Sequence, residues 1–484
     1  MLFNSIDFLF FFPIVVALLF VIPKQLRGIW LLIASYYFYM SWNPKYALLM
    51  AFSTFVTWLS GILMGRCEKD EVTKKKWIVA GSFLINLSIL FVFKYANFIM
   101  DSVTGVLNQF GVTLTDKRLD LLLPVGISFY TFQALSYTMD VYRGTIKAEK
   151  NFLQYALFVS FFPQLVAGPI ERSGNLLSQI QGIAGIKLWN FERVRDGLLL
   201  MFWGLFQKLV IADRTSILVN EVYNNYERYG LVEIAVATVL FAFQIYCDFG
   251  GYTNVARGAA RVMGFELMQN FRQPYLACNI KDFWRRWHIS LTTWFTDYLY
   301  IPLGGNRKGE LRKNINVCIV YLVSGLWHGA SWNYVAWGGL HAIYQVVGNL
   351  KAKVVKRPDK ESRYKSLIQI IVTFVLVDIA WVFFAAPGFS HALRMFKQMS
   401  ICVQTTSLLD LGLDKGNWFV LIVAILILYI IDILHECNRS VFAIVNSKPL
   451  VVRWILYLGL IWFIILFGIY GVGYDTGQFI YFQF

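Results

Sequence analysis

Twelve long apolar stretches, recurring along almost the whole chain, decide what it can fold into. They fall near 6–22, 29–43, 46–65, 77–98, 119–139, 153–171, 193–212, 231–250, 314–349, 366–386, 417–434 and 452–472. A membrane-spanning helix needs about 20 apolar residues at about 1.5 Å each. The stretch 314–349 is long enough for two, which gives about 11 to 13 membrane elements, of which 29–43 and 153–171 are expected to be short, tilted or re-entrant. Only 15% of the residues are charged, against about a quarter in soluble domains. The expected fold is therefore an all-α, polytopic transmembrane helical protein. No stretch reads as a linker, so residues 1–484 are expected to form a single membrane-embedded domain. The first stretch, from Phe8 to Ile22, has no basic leader or small-residue cleavage site and reads as a retained helix.

Charge then gives orientation. The formal charge is +15, from 44 basic and 29 acidic residues. A soluble chain with that excess could bind nucleic acid. Here the basic residues sit in short loops between apolar spans, which is a membrane-topology signal, and no nucleic-acid partner is expected. Lys24 and Arg27 follow the first span, Arg66 to Lys76 the third, and Arg143, Lys147 and Lys150 the fifth. The stretch Lys351–Lys365 carries seven basic residues against Asp359 and Glu361, and could bind anionic lipid or a carrier protein. Together they place the N-terminus outside and the basic loops in the cytoplasm. The lightly charged Asp101–Asp120 and Gln404–Gly416 then face out. Six cysteines are scattered without CxxC spacing, so neither a zinc site nor a disulfide framework is suggested.

One module breaks the apolar rhythm, from Gln244 to His341. Residues 257–313 are rich in arginine and aromatics and contain no full-length span. Residues 281–300 read as one helix, begun by Asp282 and ended by Pro302, at headgroup level or re-entrant. Gly304-Gly305-Asn306 reads as a tight turn.

Five histidines are available for chemistry: His288, His328, His341, His391 and His435. His328 lies deep in the apolar stretch Ser324–Trp332, where a titratable group is expensive unless it lines a cavity or has partners. Gly325 and Gly329 are expected to leave space beside its ring for substrate. A base of near-neutral pKa can take the proton from a hydroxyl as it attacks a thioester carbonyl. His288 lies beside Arg285 and Arg286, two clamps for an anionic or carbonyl group; a purely interfacial basic cluster is the alternative. His341 is 13 residues past His328, too far to reach the same atom from a shared helix. His391 and His435 fall near span ends and read as structural. No histidine pair has ligand spacing, so no metal site is expected. Asp248, an acid at membrane level, is expected to orient a histidine or pair with an arginine such as Arg257.

These residues carry a resemblance. The runs Asp282–Leu291, Asp297–Asn306 and Gly325–Gly329 resemble the membrane-bound O-acyltransferase family. The opening Leu2–Ser5, the runs Pro163–Ile170 and Tyr246–Phe249, and the ending Phe479–Phe484 look most like its bacterial alginate O-acetylation branch. The resemblance implies a ring of transmembrane helices around a thin centre, with a central tunnel and short re-entrant helices. His328 takes the place of the family's catalytic histidine, and His288 matches the second signature position, which assists or positions substrate. Trp284, Arg285, Arg286, Trp287, Asp297, Trp327 and Asp248 would support the donor side. Nothing is expected to be bound tightly as a cofactor. The acyl donor would be a cytoplasmic thioester, acetyl-CoA or an acyl-carrier protein. The expected function is transfer of the acyl group across a bacterial cell (inner) membrane for O-acetylation of an extracytoplasmic polysaccharide, directly or through an esterase-like partner protein. Membrane lipids are the surrounding partner. The alternatives are D-alanyl transfer to teichoic acid, acetylation of peptidoglycan, and a transporter or flippase. Against transport, no inverted repeat is evident and the polar residues concentrate around His288 and His328.

Overall fold

A computed structural model describes residues 1–68, 70–112, 118–354, 363–402, 407–470 and 479–480. Most of the basic stretch Lys351–Lys365 (355–362), part of each expected outward loop (113–117 and 403–406) and the final Tyr481–Phe484 lie outside the described residues. All regular structure among the described residues is helical, in 21 α-helices and eight shorter 3-10 or π turns. Among the described residues, six helices are long and apolar enough to cross a bilayer: Pro44–Arg66, Val72–Lys94, Leu231–Val262, Ser366–Ala385, Lys415–Glu436 and Leu450–Phe467. The chain is thus an all-α, multi-pass membrane protein.

Two compact units divide it. The first comprises Met1–Arg195 and Ala259–Met268. It contains α1 (Ile6–Val21), α2 (Arg27–Met40), α3 (Pro44–Arg66), α4 (Val72–Lys94), α5 (Ala96–Gln109), α6 (Ile127–Arg143), α7 (Phe152–Ser160), α8 (Phe162–Leu165) and α9 (Ser178–Gln181). Local signals set several starts: the Ser5 hydroxyl accepts from Phe8 N–H, and Asn43 caps α3 with Pro44 in its first turn. α6 packs on α3 and α4, and α7 on α2. Buried polar side chains cross-link these helices, with Tyr155 donating to Thr57 at 2.8 Å and Ser53 to Asn86. At nine residues α7 is about 14 Å long, too short to span, in keeping with a short or re-entrant 153–171. Two boundaries differ from the sequence reading. Helix α5 occupies half of the expected Asp101–Asp120 loop, and α6 begins only at Ile127, because Pro124 and the left-handed Gly126 (φ 73°) stop any earlier helix.

The second unit comprises Asp196–Gly258 and Gln269–Phe484. Helix α10 (Phe191–Leu205) enters it, passes through a π-helical segment, Phe206–Ala212, and continues as α11 (Asp213–Asn224). Then come α12 (Leu231–Val262), α13 (Ile280–Arg286), α14 (Ile289–Phe295), α15 (Gly309–His328), α16 (Trp332–Val354) and α17 (Arg363–Ala385). The last are α18 (Phe389–Ile401), α19 (Lys415–Glu436), α20 (Val441–Asn446) and α21 (Leu450–Phe467). Helix α12 runs 12 residues past the expected 231–250, because small residues such as Ala256, Gly258, Ala259 and Ala260 sustain close packing. Within its apolar window 72% is buried, against 6% in α21, so α12 is central and α21 offers its sides to lipid.

Glycines set the closest helix contacts. A β-carbon on Gly325 would run into the Tyr334 carbonyl, one on Gly329 into the Tyr334 ring, and one on Gly338 into the Tyr321 carbonyl. These residues let α15 and α16 pack backbone to backbone, as small residues do in membranes. They do not open space beside His328 as the sequence suggested; Tyr334 fills it. The same device joins α10 to α12, where Gly204 meets Gly251 and Gly197 meets Gly258.

Candidate active site

The expected single helix over 281–300 is broken, and the break is at His288. Helix α13 starts at Asn279, whose side-chain oxygen accepts from Asp282 N–H, and stops at Arg286. His288 adopts φ 42°, ψ 54°, left-handed geometry that a β-substituted residue adopts at a cost. Asn270, fully buried, holds the corner. Its carbonyl accepts from Ile289 N–H at 2.9 Å, its side-chain oxygen accepts from Ser290 N–H at 3.3 Å, and its amide donates to Thr253 at 3.4 Å. The turn thus exchanges helix hydrogen bonds for others and places the imidazole at the junction. A π turn, Thr296–Tyr300, follows α14 and carries the half-buried Asp297.

His328 is the last residue of α15, 3% exposed. Its ring centre lies 5.0 Å from Trp327, 5.1 Å from Trp337 and 5.3 Å from Phe384, each near edge-to-face. The ring of His288 is 6.3 Å from that of His328 and 5.9 Å from Trp327, with Phe249 packed edge-on at 4.7 Å. Two imidazoles 40 positions apart in the sequence therefore face one aromatic box. Both rings are buried, and low-dielectric surroundings strengthen proton transfer and charge stabilisation.

The other sequence candidates divide. Trp284 faces the same cluster, 5.6 Å from Trp337. Trp287 is fully buried and packs on Phe271, Phe283 and Trp381 at 4.8, 5.5 and 5.0 Å. Arg286 turns elsewhere, with its guanidinium bonded to Asp282 at 3.0 Å and bidentate to Glu436 at 2.6 and 3.0 Å. That fork ties α13 to α19. Arg285 is exposed. His391 Nε2–H donates to the Tyr223 carbonyl at 2.9 Å, and its ring packs on Tyr226, which suits a structural residue.

For Asp248 the expected arginine or histidine partner is corrected. It pairs with Lys208 at 2.6 Å and accepts from Ile480 N–H at 2.8 Å, while Lys208 also reaches Asp213 at 2.8 Å. The reason is the π-helical segment 206–212, which swings Lys208 to the face of α12 that bears Asp248. All three side chains are buried, and the one ammonium serves both carboxylates. Asp248 is one residue from Phe249, the edge-on neighbour of His288, so the ion cluster braces the wall of the box.

Sequence reasoning missed Lys208, Asn270, Trp337 and Phe384. A lysine inside the apolar stretch 193–212 was a readable signal, because an intramembrane charge demands a partner. Trp337 and Phe384 had no local signal, since aromatics are common throughout the chain.

Residues 147–388 match the model of the MBOAT, membrane-bound O-acyltransferase family. "Probable alginate O-acetylase AlgI" of Pseudomonas aeruginosa is 37% identical over 407 residues, 82% of this chain and 75% of that protein. A peptidoglycan O-acetyltransferase of Helicobacter pylori is 33% identical over 82% of this chain and 80% of its own length. A teichoic acid D-alanyltransferase of Bacillus subtilis is 28% identical over 56% of this chain and 71% of its own.

Proposed function

We propose that this chain, which belongs to the membrane-bound O-acyltransferase family, moves an acetyl group from a cytoplasmic thioester across the membrane for O-acetylation of an extracytoplasmic polysaccharide. The observation that carries the reading is the pairing of His328 and His288, 6.3 Å apart, in a buried aromatic box. His328 acts as general base. It takes the proton of the acceptor hydroxyl as the hydroxyl oxygen attacks the acyl carbon. The tetrahedral intermediate collapses, the carbon–sulfur bond breaks, and the proton passes to the departing thiolate. His288 positions the acceptor or the acyl group. The acceptor hydroxyl belongs to the polysaccharide or to a secreted, esterase-like partner. A buried site suits this task, because donor and acceptor can approach from opposite faces of the bilayer.

Acetyl is favoured over D-alanyl because the acetylating relatives match more of this chain, at higher identity, than the D-alanylating one. The basic loops are proposed to face the cytoplasm of a bacterial inner membrane, on the side of the thioester. The test uses the full chain in nanodiscs with radiolabelled acetyl-CoA and the polysaccharide fraction or secreted partner. Wild type should transfer label, and folded His328→Ala should lose it by at least about 10²-fold. Equal transfer by both would remove His328 from the chemistry. Transfer from D-alanyl carrier protein, with none from acetyl-CoA, would reassign the donor.

A further inference from the structure

Three imidazoles, His288, His328 and His341, are buried in this unit, and the chemistry above uses two. His341, in α16, is fully buried. Trp284 Nε1–H donates to its Nδ1 at 3.3 Å. With Nδ1 accepting, the neutral ring carries its proton on Nε2. That Nε2–H has no acceptor among the described residues, and neither has the indole N–H of fully buried Trp337. The Trp337 ring centre is 5.1 Å from that of His328 and 5.1 Å from that of His341. Phe283 lies parallel to the His341 ring at 6.3 Å and Tyr321 nearly so at 6.2 Å. The ring is therefore held by packing, pinned at one nitrogen and left with an unmet donor at the other. Buried donors without acceptors are costly, and a ligand oxygen relieves them. An occupant of this box should bring an acceptor.

We propose that His341 is a catalytic hydrogen-bond donor, whose Nε2–H stabilises the oxyanion formed on the acyl carbonyl, and that Trp284 is the positioning residue that fixes its tautomer. The proposal rests on the acyl-transfer reading. As the hydroxyl oxygen bonds to the acyl carbon and its proton moves to His328, the carbonyl electron pair becomes the oxyanion that His341 meets. When the carbon–sulfur bond breaks, that pair re-forms the carbonyl. The donor serves the transition state more than the ground state, so it acts on kcat rather than KM.

The test compares wild type, His341→Phe, His341→Gln, Trp284→Phe and His328→Ala, each as full chain in nanodiscs with labelled acetyl-CoA. His341→Phe keeps the aromatic packing and removes both nitrogens; His341→Gln restores an N–H donor near the Nε2 position. The expected result is a kcat loss of about 10²-fold for Phe with KM within about twofold, partial recovery for Gln, and a smaller loss for Trp284→Phe. A folded Phe variant with wild-type kcat would make His341 a packing residue, and a change in KM alone would make it a binding one; either overturns the proposal. If the Phe variant does not fold, the Gln variant decides: a folded Gln protein no more active than His328→Ala overturns it. Loss in His328→Ala with full activity in His341→Phe leaves acyl transfer standing and removes only this role. Equal label in wild type and His328→Ala removes both.

Discussion

His288 is one of three non-glycine residues with a left-handed backbone among the described residues, and Asn270 is what makes its departure stable. Three hydrogen bonds converge on one buried asparagine, two of them on the first amides after the histidine. Asn270→Ala removes the side-chain pair, each bond worth about 1 kcal/mol. The expected outcome is a melting temperature several degrees lower and acyl transfer reduced by about tenfold or more; a folded variant with full activity would show that the corner holds without it. Asn270→Asp keeps the acceptor for Ser290 N–H and should fall between the two. The sequence made His288 and His328 visible because histidine is rare here and costly in an apolar setting. It could not make the broken helix visible. The run 281–300 contains no glycine or proline, so the signal for the kink lies in Asn270, outside the helix itself.

At the scale of elements, the glycine contacts decide whether α15 can deliver His328 to the box. Gly325→Val or Gly338→Val would force the two backbones apart, and overpacking costs about 1–3 kcal/mol. Both variants should show lower folded yield and lose transfer activity. Gly348→Ala is the control: nothing lies within 4 Å of an added β-carbon there, and it should match wild type in thermal stability and rate. If Gly325→Val behaves like Gly348→Ala, close packing of α15 and α16 does not place His328. Helix positions were largely legible from apolar runs, and most observed helices lie within a few residues of them. The role of the glycines was not, since a glycine that makes room for substrate and one that admits a neighbouring backbone look alike until the partner helix is known. His341 shows the same limit. Counted along one helix it was remote from His328, yet a chain reversal after Gly329 puts both beside Trp337.

Across the whole molecule, charge in the bilayer is tolerated where it is paired, and Lys208, Asp213 and Asp248 form a buried ion cluster of that kind. Lys208→Met leaves two buried carboxylates close together, and breaking a buried pair costs about 3–5 kcal/mol. That variant should express poorly or melt far below wild type. Asp248→Asn keeps an acceptor for Ile480 N–H and should be milder; the reverse order of melting temperatures would mean the cluster is not held together by Lys208. Membrane class and family were readable from composition and motif. The ion cluster was not, because its members are separated by a π-helical segment and a long stretch of chain. One of its bonds has a temporal side. Ile480 is synthesised 232 residues after Asp248, the carboxylate it caps. Lys208 and Asp213 leave the ribosome before Asp248, so the acid can be neutralised as soon as α12 enters the bilayer, but its second oxygen waits for almost everything else to be inserted. Biogenesis therefore has a late closing step, and a nascent chain halted after α21 would hold all the α-helices described for the second unit with the Asp248 carboxylate still uncapped.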